Sequence, residues 1–204
     1  MKIFGLSRAD HSASGAPDSP AGPSLAFAMI YGCLSFGAVS ALAYSIWAFR
    51  LVPGERTALY TTTALVYLGL GGLALSRLVA VPGAARRFTL CFATVFLAYA
   101  ICWCAFWFGL RGKYRADLWG AVTGLAAMTW LLQRAFGQSR GFLAMFAVLL
   151  ALHSLGYYAG EQLYASVRGS TGRLLWGAAH GLGFGAGLGY VLFQCQRRSP
   201  VAAD

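Results

Sequence analysis

Two histidines, His153 and His180, each stand alone in one of the last two apolar stretches of the chain, Gly141 to Leu163 and Gly172 to Cys195; the third, His11, lies in the N-terminal tail. Imidazole ligates metals and haem iron and shuttles protons, so its depth in an apolar segment matters. For helices rising about 1.5 Å per residue, His153 lies roughly 18 Å in from the Gly141 end and about 12 Å short of the far surface of a bilayer. His180 lies roughly 12 Å in from that same surface. Two sequential antiparallel spans therefore bring both rings to one depth in hydrocarbon, where an ionisable group is expensive and marks a functional site by default.

The neighbours of the histidines extend this pattern. His153, Tyr157 and Glu161 recur every four residues and share one helix face, as do Arg173, Gly177 and His180 on the next span. In the register that joins the histidines, Arg173 and Glu161 are expected to pair at the rim, a contact worth about 0 to 1 kcal/mol. Gly177, Gly181, Gly185 and Gly189 continue the four-residue spacing, and Gly183 and Gly187 add a second row. Such rows read as a small-xxx-small packing seam, with Gly69, Gly71 and Gly72 of the second span as the expected facing groove. Phe92, Phe96, Tyr99, Trp103 and Phe106 form an aromatic stripe that would line a cofactor or quinone pocket, or else face lipid or core.

Several chemistries are compatible with two imidazoles at one depth. A b-type haem takes two axial nitrogens on opposite sides of a flat ring, so His153 and His180 are candidate cofactor ligands, provided their helices splay. No metal site is expected, because a catalytic zinc needs three protein ligands and Glu161 lies about 12 Å along the helix from His153. A serine nucleophile is not supported either: His153 and Ser154 point about 100° apart, with no carboxylate at that depth to orient the histidine. The plainest role is a hydrogen bond between the rings that joins the two spans, such bonds averaging about 0.6 kcal/mol in membranes.

These residues need elements to hold them, and composition says which. Charged residues are 11% of the 204, against about 25% in typical soluble proteins, and hydrophobic residues are 58%. Apolar runs near the 20 residues that span a bilayer, each with at most one charged residue, recur at Leu25 to Phe49, Thr57 to Val79, Phe88 to Leu110, Leu118 to Phe136, Gly141 to Leu163 and Gly172 to Cys195. All six prolines fall outside these runs, where a missing backbone donor costs nothing. The expected fold is thus all-α, a polytopic bundle of six transmembrane spans over 25–196, with a flexible tail over 1–24 and a C-terminal tail over 197–204.

The formal net charge of +10 would suggest nucleic acid in a soluble protein, but the basic residues flank the spans and read as anchors to anionic headgroups. Nucleic acid is therefore not an expected partner. With six spans, nine of the 16 Lys and Arg residues lie on the side that holds both termini, a bias toward cytoplasmic termini in a bacterial-type inner membrane. Cys102 and Cys104 sit two apart on a helix, on nearly opposite faces, and with Cys33, Cys91 and Cys195 read as packing residues. Trp176 to Gly185 looks like a motif, yet its GLGFG run lies inside a helix with no preceding strand, so it is not a phosphate loop.

With no catalytic constellation, the expected function is a non-catalytic accessory or scaffold bundle that packs on lipid and on a membrane-protein partner. The alternative is a redox protein linked to b-type haem or quinone through His153 and His180.

Overall fold

The structure is a computed structural model that describes Phe4, Leu6 and residues 23–53, 56–81 and 83–197. It is all-helical, with six rods in chain order. They are α1 (Leu25–Ala48), α2 (Arg56–Val66, continuing through Tyr67–Gly71, Gly72–Leu75 and Ser76–Leu78), α3 (Ala85–Gly109), α4 (Ala116–Phe136), α5 (Phe142–Val167) and α6 (Gly169–Gln196). α1, α3, α5 and the Ala58–Leu78 part of α2 are long and apolar enough to cross a membrane, with mean hydropathies of 1.9, 2.0, 1.7 and 1.5. α4 and α6 are as long but less apolar, α4 through Asp117, Gln133 and Arg134 and α6 through its glycines and polar first turns.

Local chemistry sets the ends of the rods. Ser24 caps α1 by accepting a hydrogen bond from the Phe27 amide at 3.2 Å. α4 ends at Gly137, whose φ of +72° suits glycine at this left-handed position; the Gln138 amide reaches back to the Gln133 carbonyl at 2.9 Å. α5 and α6 grow beyond their expected limits until Arg168, at φ +56°, alone separates them. That one-residue joint makes them an antiparallel hairpin.

Within α2, Tyr67–Gly71 winds as a π turn. This stretch carries Gly69 and Gly71 with Gly72 directly behind, residues that weaken the ordinary helix, and π turns concentrate at such places and at functional sites.

Packing follows small residues. α6 lies antiparallel to α1, with Gly189 against Ala28, Gly185 against Gly32, Gly181 against Ser40 and Gly177 against Tyr44. Its second row faces α5, also antiparallel, with Gly183 against Leu152 and Gly156, and Gly187 against Leu149. The groove facing the long glycine row is therefore on α1, not on the second span as expected. Gly71 meets Phe92 and Phe36, and Gly72 meets Thr89, so these two glycines hold α2 against α3 and α1.

The aromatic stripe of α3 turns inward, with Phe92, Phe96 and Tyr99 buried among Phe36, Tyr67 and Phe184. Large hydrophobics such as Ile30, Leu34, Leu65, Leu143 and Leu155 are exposed on the outside.

The tails expected over 1–24 and 197–204 lie almost wholly outside the described residues. Of the few described, Leu6 is 1% exposed and Phe4 packs partly against the core.

Candidate functional site

The α5–α6 register decides what the histidines meet. Gly156 lies one turn beyond His153, and Gly183 one turn beyond His180; because neither glycine has a side chain, the two backbones touch there. His153 and His180 project beside that contact, with Nε2 atoms 3.1 Å apart and rings crossed at 87°. His153 is 2% exposed.

A third group completes the cluster. Tyr99 of α3 brings its hydroxyl to 2.9 Å from His153 Nε2, so one ring nitrogen faces two partners. The Nδ1 atoms of both histidines are buried without a hydrogen-bond partner. Phe184 closes the floor against His153, His180 and Tyr99. Tyr157 lies parallel to His153 and edge-on to His180 and Trp176.

A small recess opens beside His153, lined by Trp103, Asp117, Ala121, Ser154, Tyr157 and Tyr158, with room for about one water molecule. At its mouth Arg115 donates to the Tyr158 hydroxyl at 3.0 Å, and Tyr158 donates to Asp117 Oδ2 at 2.8 Å. The carboxylate that shares this recess with His153 is thus Asp117, from the first turn of α4.

Glu161, the acid on the face of His153, is exposed instead. It does not meet Arg173, and no ion pair joins the two among the described residues. The Arg173 guanidinium lies over Trp47, 4.7 Å from the ring centroid, and its Nε has no hydrogen-bond partner. An aromatic face a helix away outcompetes a solvated carboxylate, which offers a guanidinium little.

A second polar chain crosses the bundle nearby. Ser40 donates to the Gly177 carbonyl at 2.6 Å, which uses its only hydrogen. Tyr67, from the π turn, therefore donates to Ser40 at 2.6 Å. Every group in this chain is satisfied, unlike the Tyr99, His153 and His180 cluster.

A haem held by both histidines needs its flat ring between the two nitrogens. Here those nitrogens face each other directly and the glycine contact closes the helices beside them, so haem does not fit. The recess beside His153, with room for about one water, does not hold a quinone either. Among the described residues no three His, Cys, Asp or Glu side chains gather as metal ligands.

Sequence reasoning placed Tyr99 in the aromatic stripe without joining it to the histidines, and it missed Asp117 and Ser40. Tyr99 carried a signal, being the only hydroxyl in its aromatic stripe. No family model, curated protein or solved structure matches this chain.

Proposed function

We propose that the chain is a six-span integral membrane protein of a bacterial-type inner membrane, with both termini cytoplasmic, that serves as a non-catalytic accessory or scaffold subunit. The observation that carries the reading is the filled interior. Phe36, Phe92, Phe96, Phe184, Tyr67 and Tyr99 interlock where a substrate or flat cofactor would lie, and glycine seams bring α6 into backbone contact with both α1 and α5.

The six-span form is supported by direction as well as length. α1 and α6, α3 and α4, and α5 and α6 pack antiparallel, as alternating spans must; the α3–α4 pairing is read from Gly120 against Trp103 and Gly124 against Tyr99. α6 needs little hydropathy of its own because its neighbours cover Phe184, Leu188, Val191 and Leu192. The apolar outer face suits lipid and the surface of a membrane-protein partner.

Extraction of the full chain from its native membrane in a mild detergent tests this. The accessory reading expects a colourless protein in stoichiometric complex with a second polypeptide. A chain recovered only alone or as a homo-oligomer would overturn it, as would a reduced b-type spectrum lost in both His153→Ala and His180→Ala.

A further inference from the structure

The polar cluster demands more hydrogen bonds than its atoms can make. His153 Nε2 lies 2.9 Å from the Tyr99 hydroxyl and 3.1 Å from His180 Nε2. A neutral imidazole nitrogen offers either one lone pair or one N–H. If His153 Nε2 accepts, Tyr99 and His180 compete for a single lone pair. If it donates, it serves one partner and leaves the other without a bond. In either case a polar group stays poorly paired in a dry interior, where each such group calls for an explanation.

A cation removes the competition at His153 Nε2, because it takes one lone pair from each of the three atoms. We propose that Tyr99 Oη, His153 Nε2 and His180 Nε2 form a binding site for a single transition-metal ion, Zn2+ or Cu+. The two separations measured from His153 Nε2 are close to those required. An ion about 2.0 to 2.1 Å from tetrahedrally placed donors sets them about 3.3 Å apart, so separations of 2.9 and 3.1 Å need to open by only a few tenths of an ångström.

Imidazole suits both ions, and the phenol distinguishes them. Zn2+ displaces the phenol proton to water and binds phenolate, whereas Cu+ binds with the phenol intact. Each leaves one net positive charge. With Nε2 on the metal, each ring carries its hydrogen on Nδ1. For His153 that hydrogen lies on a ring that lines the recess, where one water could accept it and face Asp117, the outer carboxylate that metal-bound histidines commonly recruit.

The site draws one donor from each of α3, α5 and α6. It would fix the place where the glycine seam meets the aromatic core, a structural role that goes beyond the accessory reading and does not depend on it.

The test is the metal content of the detergent-purified full chain, as isolated and after loading with Zn2+, Co2+ or, under reducing conditions, Cu+. About one ion per chain is expected, with visible d–d bands for Co2+ that report a low-symmetry N and O site. His153→Ala with His180→Ala should lose the ion. Tyr99→Phe, which keeps the ring and the packing, should weaken binding by at least the 10- to 100-fold that removal of an outer partner costs and should shift the Co2+ bands. Asp117→Asn should keep the stoichiometry. Absence of a retained ion in well-folded wild type under all three loadings overturns the proposal, and so does metal held equally by the double histidine variant.

Discussion

Replacing Gly156 by alanine should open the α5–α6 seam at the histidine pair. A Cβ at that position would sit 2.5 Å from the Ala179 carbonyl oxygen and 3.1 Å from the Gly183 Cα. Both are backbone atoms and cannot swing aside. The tighter contact is roughly 1 Å short of ordinary van der Waals separation, so the helices must part by about that much. The Nε2 to Nε2 distance of 3.1 Å would then stretch to about 4 Å, beyond hydrogen-bond range.

Overpacking costs about 1 to 3 kcal/mol and the lost bond about 0.6, while alanine returns about 1 in helix propensity. The net loss is roughly 0.6 to 2.6 kcal/mol. Gly69→Ala is the control, since nothing lies within 4 Å of a Cβ there, and it should cost nothing or stabilise slightly. Reversible unfolding in mixed detergent micelles gives both free energies, and nitrogen NMR of labelled histidine reports the ring contact. If Gly156→Ala is as stable as wild type, the seam does not pack as described. A loss of stability with unchanged imidazole signals would refute the link between seam and site.

Other substitutions separate the remaining contacts. Ser40→Ala should cost about 1 kcal/mol by leaving the Tyr67 hydroxyl and the Gly177 carbonyl without Ser40 as partner. Tyr67→Phe should then add almost nothing in that background, which a double-mutant cycle checks. Arg173→Ala should cost about 0.5 to 2 kcal/mol through the lost contact with Trp47. Glu161→Gln should change stability by less than about 0.5 kcal/mol, and the cycle between Glu161 and Arg173 should show no coupling. Asp117→Asn should cost about 0.5 to 1.5 kcal/mol by weakening the bond from Tyr158; a larger effect would mean that Asp117 reaches deeper than the mouth of the recess.

The features legible in the sequence depend on quantities that a helix holds constant. Rise per residue sets depth, so His153 and His180 could be matched across two spans, and they do touch. Angular repeat sets the face, so the two glycine rows of α6 could be separated, and they do face different helices. What repeat and rise leave open is the partner. A glycine row accepts any closely approaching surface, and α1, through Gly32 and Ser40, competed for it as well as the second span did. Arg173 likewise had two partners in reach, and a half-buried indole won over an exposed carboxylate.

Tyr99 was legible by depth as well. At the same rise it lies roughly 16 Å from Leu110, and His153 roughly 15 Å from Leu163; both are odd-numbered spans and so run in the same direction. A lone phenol at that depth needs a polar partner, and the histidines were the available ones. Asp117 followed no such rule. It lies in the first turn of α4, where an acid is expected to answer the helix dipole, and only the arrangement of α4 beside α5 turns it toward the recess of His153. Depth and face thus locate groups within one helix, whereas the site belongs to the contacts among α3, α4, α5 and α6, which are settled by backbones that small residues allow to meet.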